Sequence, residues 1–450
     1  MSAVAEPSPV ADPAPPEVED SATPVAESAA PVEAAEPVAE PAYEPVAEPV
    51  AEVGEPAAEV GEPEQRPGVD GSRAAWRASF FAGLWTWLAG LATYAAVTFV
   101  AWLPFGDAPG VAQAYQAWHR WDTTWYVIIA DSGYGYDKRS AAFFPLYPLL
   151  IRWSNAVLPG GSFEAALVVS GLACLAALVL VHRLTTEFLG GDMARRTIFY
   201  LLAFPTGFYL AAAYNESLFV ALAAGSFYCM RRGRWWIAGL LAGFASATRV
   251  VGVLLAVSML YEYLRQRHFS VRRIRADLLA LLLAPVGLVI YALYLWHAFG
   301  DPLYFQKMQA NWFRSGYTAP WTTIADTGRL IANTHPMLGP DTVRNIYNLA
   351  TAIAVLVLLV IALDKQWGIG GEQAYMVIFS AAVILIPLTT PIHNVYPLSS
   401  MWRFALECLP VFMLLAKFGR DRRFDRLYTM VVLALQGVMI LTFLHDQFVA

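Results

Sequence analysis

Charge is scarce in this chain. Only 15% of its 450 residues are Asp, Glu, Lys or Arg, while 57% are hydrophobic and 14% aromatic. A typical soluble protein carries about 25% charged residues, so an ordinary water-facing shell is excluded. Cysteine is scarcer still. Cys174, Cys229 and Cys408 all fall inside apolar runs. An odd number of thiols so placed gives neither a disulfide framework nor metal-ligand spacing. No P-loop, GxGxxG, HExxH or nucleophile elbow occurs, and these are the signatures of nucleotide, dinucleotide, zinc and acyl-enzyme chemistry. Nothing points to nucleic acid. No basic segment followed by an apolar core lies near Met1, so no cleavable signal peptide is expected.

What is present is long apolar sequence. Runs at about 80–103, 163–183, 197–213, 216–230, 236–263, 277–298, 346–363, 374–390, 403–417 and 427–445 reach or approach the ~20 residues that a spanning helix needs. The expected fold is all-α and polytopic in the membrane. The net charge of −6 averages two unlike parts. Residues 1–75 hold 17 acidic and 2 basic side chains, and the remainder is net basic. The first part is nearly all Ala, Val, Pro and Glu, with quasi-repeats such as EPVAEPAYEPVAEPVAEVGEP. Recurrent proline breaks helices, and few large apolar groups are there to offset chain entropy. Residues 1–75 are therefore expected to be a disordered acidic tail, with residues 76–450 forming the membrane domain.

Basic residues cluster at Arg195–Arg196, Arg231–Arg234, Arg265–Arg275 and Lys417–Arg426. The positive-inside rule places these loops in the cytoplasm. The run 236–263 must then leave and return, which predicts two short helices broken near SATRVVG (246–252). The segment 142–158 is short, carries two prolines and Arg152, and is expected to lie on or re-enter the outer surface. About eleven spans follow. The tail is cytoplasmic, and two large extracytoplasmic loops cover 104–162 and 299–345.

Four places carry polar residues that a membrane segment would otherwise avoid. The first is WHRWDTTWY (118–126). A helix over 112–130 would put Tyr115, Trp118, Asp122 and Tyr126 on one face, with the carboxylate buried among aromatics. The bland alternative is that the tryptophans are interfacial anchors and Asp122 pairs with Arg120 or His119. The second is FPTGFYLAAAYNESLF (204–219), where Asn215 and Glu216 either face the same compartment or merely cap a helix. The third is Arg249 inside an apolar run, which requires an anionic partner such as Glu216 or a lipid phosphate. The fourth is TPIHNVYPLSSMWRF (390–404), with His393, Tyr396 and Arg403. Arginine suits bidentate phosphate recognition, although Arg403 could instead snorkel to the interface. FGDPLYFQKMQANWF (299–313) adds Asp301, Lys307, Gln309 and Trp312.

Taken in order, RWDTTWY, AFFPLYPLL, FPTGFYLAAAYNESLF, GLLAGFASATRVVG, FGDPLYF and SSMWRF resemble the GPI mannosyltransferase 2 (PIG-V-like) family over about residues 115–410. The acidic tail sets the chain apart from eukaryotic members and reads as that of a bacterial relative. The resemblance implies a GT-C-like bundle of the plasma membrane that takes mannose from a polyprenyl-phosphate-mannose donor on the extracytoplasmic face. It passes the sugar, with inversion, to a lipid or glycan acceptor. Asp122 occupies the family's acidic position and is expected to be the general base. Trp121, Tyr126, Asn215, Glu216, Arg249, Gln309 and Arg403 are the expected substrate-binding residues. No metal and no cofactor are expected. The competing expectations are a lipid or sugar transporter, and a non-catalytic membrane scaffold of the same fold.

Overall fold

The computed structural model describes residues 72–102, 110–310, 316–366, 368–392, 396–447 and 449. The expected tail thus lies outside the described residues, apart from its last few positions. Those are already helical, because α1 (Arg73–Val100) begins before the predicted boundary at 76 and is capped by the Ser72 hydroxyl, which accepts from the Ala75 amide. His393 and Trp312 also lie outside the described residues.

Helix α1 leads to α2 (Val111–Gln116) and α3 (Asp122–Ser132). The single helix expected over 112–130 is therefore two. Trp118 and His119 sit in the turn between them, and Trp121 closes it with a left-handed φ of 51°. Tyr115 is carried by α2 and shares no helical face with Asp122. Next comes α4 (Leu146–Asn155), 10 residues long and so shorter than a single spanning helix needs. Helices α5 (Ser162–Leu189), α6 (Gly191–Ala203) and α7 (Glu216–Arg231) form the centre of the bundle. Small residues are buried along them: Ala173 and Ala177 on α5, and Ala223, Ala224 and Gly225 on α7, with Gly225 packed against Leu180 of α5. Hydroxyls tie the same helices together, with Ser217 Oγ donating to the Ser170 carbonyl at 3.1 Å.

Several predicted spans are broken helices. Helix α6 stops at Ala203 because Pro205 disfavours helical geometry in the residue before it. The carbonyls freed there are satisfied: Gln436 Nε2 donates to those of Leu202 and Phe204 at 2.8 Å, and the Tyr94 hydroxyl also donates to Leu202. The run 236–263 is α8 (Trp235–Ser246), a 3-10 turn over Val250–Leu254, and α9 (Leu255–Gln266). It breaks where the sequence predicts. Here the Ala245 carbonyl accepts from the Thr248 hydroxyl, that of Ala247 from the Leu146 amide, and that of Thr248 from the Asn215 side chain. Non-helical backbone at this depth is tolerated because its polar groups are paired within the protein.

The chain continues through a 3-10 segment (Ala276–Leu283) into α10 (Val286–Phe299), with a 44° bend. Gly287 packs there against the Gly243 carbonyl, and a side chain would not fit. Then follow α11 (Tyr304–Gln309), α12 (Pro320–Asn333), α13 (Pro340–Leu363), α14 (Ala374–Thr389), α15 (Met401–Ala405), α16 (Leu409–Phe418) and α17 (Arg422–Leu444).

Among the described residues, five helices are long and apolar enough to cross a membrane, or six with the bent pair. The other apolar segments α6, α7, α8, α9 and α16 are shorter pieces of 10 to 16 residues. The outward faces of α1, α10 and α17 are apolar, with Trp85, Phe99, Ile290, Trp296, Leu427 and Met430 exposed. The chain is an all-α, multi-pass membrane protein.

The expected sidedness has a direct test. Val157, after α4, and Val271, after α9, are both exposed, and the three native cysteines are buried. In intact cells, a membrane-impermeant maleimide is expected to label Val157→Cys and to reach Val271→Cys only after permeabilisation. Labelling of both from outside would overturn the assignment of sides.

Candidate active site

The breaks and helix starts converge on one cavity of about 1180 Å³. Trp121, Asp122 and Tyr126 of the α2–α3 turn and α3 form part of its wall. Arg249 enters from the α8–α9 break, Gln309 from α11, and Arg403 from α15. Asp122 is in the first turn of α3, where a carboxylate interacts favourably with the helix dipole. The left-handed Trp121 sets its direction. Arg403 follows a second non-glycine residue of positive φ, Ser400 at 71°. Such residues are uncommon and strained outside glycine. Asp122 and Arg403 are thus both launched from strained turns.

They meet directly. Arg403 Nη2 lies 2.7 Å from Asp122 Oδ2 and 2.5 Å from Glu216 Oε1, and Arg403 Nε donates to the same Glu216 oxygen at 2.8 Å. The guanidinium also faces the rings of Tyr209 and Tyr214, with centroids at 5.0 and 4.9 Å. Glu216 is fully buried, and Arg403 is only 6% exposed. Arg403 is therefore directed inward and does not snorkel. Arg249 continues the network. Its Nη1 lies 2.6 Å from Glu407 Oε1 and 3.6 Å from Glu216 Oε1.

Asp122 pairs with neither of its sequence neighbours. Arg120 approaches Asp446 at 3.6 Å, and His119 stacks on Phe163 with centroids 4.7 Å apart. Burial and the adjacent Arg120 hold the His119 imidazole below its usual range. The apolar enclosure expected of Asp122 is not found either. Its side chain is 26% exposed and opens into the cavity.

Asn215 occupies the N-cap position of α7 but makes no capping bond. Its amide instead holds the Thr248 carbonyl at 3.0 Å, next to Arg249. Glu216 lies behind Arg403 and does not line the cavity, so it braces the site instead of touching what enters it. Gln309 reaches the wall with its amide 3.4 Å from the Ala142 carbonyl. Elsewhere on the cavity wall, Lys307 pairs with Asp301 at 2.6 Å, and Arg344 lies 4.4 Å from the Tyr396 ring centroid. Among the described residues, no group of three His, Cys, Asp or Glu side chains could hold a metal ion. The three carboxylates of the network are turned to arginines instead.

Sequence reasoning missed Glu407. It sits in an apolar run, four residues after Arg403, and the only available signal was that an unpaired carboxylate there needs a cation. It missed Arg344 as well, a cation near the start of α13 with no accompanying motif.

Residues 108–321 match the family model described as mannosyltransferase (PIG-V). The middle of the chain is PIG-V-like. GPI mannosyltransferase 2 of Yarrowia lipolytica is 29% identical over 147 residues, covering 32% of this chain and 39% of that protein. GPI alpha-1,6-mannosyltransferase 2 of Rattus norvegicus is 33% identical over 159 residues, covering 32% of each. The match thus spans between about a third and two fifths of these relatives' length. Among solved structures, ArnT from Cupriavidus metallidurans bound to undecaprenyl phosphate aligns with a TM-score of 0.47 at 14% identity, covering 79% of this chain and 70% of that one. An Archaeoglobus fulgidus oligosaccharyltransferase aligns at 0.42 and 12% identity, covering 80% and 55%. Asp122, Asn215, Glu216, Arg249 and Gln309 all lie within the PIG-V-like stretch, whereas Arg403 and Glu407 lie beyond it.

The buried pair makes a stability prediction. Removing one partner of a buried ion pair strands the other charge and costs about 3–5 kcal/mol. Arg403→Ala is expected to lower the thermal midpoint in detergent clearly. The double variant Glu216→Gln with Arg403→Met is expected to recover much of the loss, because the charge goes with its partner. An unchanged midpoint for Arg403→Ala would show that the network does not brace the fold.

Proposed function

We propose that this protein is an inverting glycosyltransferase. It transfers mannose from a polyprenyl-phosphate-mannose donor to a lipid- or glycan-linked acceptor on the extracytoplasmic face of the plasma membrane. The observation that carries this reading is the placement of Asp122: a carboxylate open to a large, largely apolar-walled cavity, with Arg403 and Arg249 behind it. The PIG-V-like stretch supports the choice of mannose, and several of the residues concerned lie within it.

The chemistry follows from the charges. Asp122 accepts the proton of an acceptor hydroxyl as that oxygen attacks the anomeric carbon. The bond from that carbon to the phosphate oxygen breaks, and its electron pair leaves with the polyprenyl phosphate. A phosphate is acidic enough to depart without a general acid. It does need positive charge, which the two guanidiniums supply. Trp121 and Tyr126 offer ring faces to the sugar at the cavity wall, and Gln309 offers a polar contact. Glu216 holds Arg403, which in turn holds Asp122. Glu216 and Asn215 are therefore positioning residues.

A positioned base contributes typically 10²–10⁴-fold. With radiolabelled polyprenyl-phosphate-mannose and a membrane lipid extract as acceptor, Asp122→Asn is expected to lose transfer by about that factor. It is expected to remain folded. EDTA is expected to leave the wild-type rate unchanged. Full transfer by Asp122→Asn would refute the assigned base, and no transfer by the wild type would favour a transporter or scaffold.

A further inference from the structure

The charge count of the network is uneven. Among the described residues, the arginines paired with Asp122, Glu216 and Glu407 are Arg249 and Arg403, so this cluster, fully ionised, carries one net negative charge. That is a poor receptor for an anionic ligand. The imbalance is concentrated at Glu407. It lines the cavity, is 3% exposed, and neither of its oxygens accepts a hydrogen bond among the described residues. Its one close charged contact is Arg249 Nη1 at 2.6 Å, outside hydrogen-bond geometry. Arg249 is equally underused. Its guanidinium touches Glu407 and, distantly, Glu216 through one nitrogen, and leans on the Phe219 and Phe404 rings at 5.9 and 5.3 Å. Arg403, by contrast, is committed through two nitrogens to two carboxylates.

Resting on the reading above, we propose that Glu407 is a built-in stand-in for the donor phosphate. It occupies Arg249 in the empty site and gives Arg249 up when the phosphodiester arrives, taking up a proton as it does so. An arginine fork can bind a phosphate through two parallel hydrogen bonds, better than the single skewed contact it makes with Glu407. A second buried anion beside Arg249 is costly unless one of the two is neutralised, and Glu407 is the group whose one close ion-pair contact among the described residues is Arg249 itself. The ionisable groups facing Glu407 are Arg249 from the α8–α9 break, Glu216 from α7 and Arg403 from α15. Glu407 is thus a positioning residue that sets donor affinity. It also makes binding dependent on pH: the protonated form favours the donor, so affinity falls as pH rises.

The test is direct binding of polyprenyl-phosphate-mannose to the full-length protein in detergent, without acceptor, from pH 6 to pH 8.5. A phosphodiester keeps its single charge across that range. Wild-type affinity is expected to fall by up to about tenfold per pH unit above the titration of one proton. Glu407→Gln, which carries the neutral shape, is expected to bind at the wild type's low-pH affinity at every pH. Glu407→Asp is expected to keep the pH dependence. Equal, pH-independent binding by wild type and Glu407→Gln would overturn the stand-in while leaving the donor assignment intact. Absence of binding to either would sink the lipid-phosphate donor, and the stand-in with it. Should Glu407→Gln fail to fold, a flat wild-type profile would still overturn the proposal.

Discussion

Arg403 between Asp122 and Glu216 is the contact on which the rest of the site depends. A guanidinium and a carboxylate that are almost wholly removed from solvent exist only because each neutralises the other. Once that pair is formed, much else is constrained. Helix α7 must begin at Glu216, α15 must lie over it, and Asp122 has one cation to meet. The strained turns at Trp121 and Ser400 are reasonable at this point, because buried charge holds the residues that follow them.

The broken helices serve the same end. An unbroken span through 236–263 would keep Arg249 on a helix surface, where its backbone carries no special direction. The break gives Arg249 extended geometry and turns it to the cavity. The carbonyls it frees are taken up by Thr248, Leu146 and Asn215. One of these donors is a site residue, so the architecture and the chemistry share atoms. Asn215 illustrates this: a residue suited by type to capping a helix spends its amide on another helix's break.

Much of this was legible in the sequence because membrane sequence is strict. Charges and amides at Asp122, Asn215, Glu216, Arg249 and Arg403 stand out where polar groups are expensive; the cavity gathers four of them, and Glu216 lies behind Arg403. The break at 246–252 was legible from charge placement. What was not legible depended on distance in three dimensions. No local pattern tells that Asp122 pairs across 281 residues with Arg403 and not with Arg120. The kink at Trp121 was hidden because tryptophan gives no signal for a left-handed backbone. Glu407 was hidden because its partner lies on another segment. The turns inside the apolar runs were only partly legible, because hydropathy registers apolar length and not the breaks within it.

The separation of 187 residues between Glu216 and Arg403 also bears on how the protein is made. Helix α7 leaves the ribosome long before α15 exists. Through that interval a carboxylate destined for the interior has no permanent cation, and Arg249 can only approach it distantly. The nascent bundle must therefore keep α7 loosely seated until α15 is inserted. A protein truncated before residue 403 would lack the counter-charge for its own centre. Such a chain would present to the membrane's quality control the kind of intramembrane charge that marks an unfinished product.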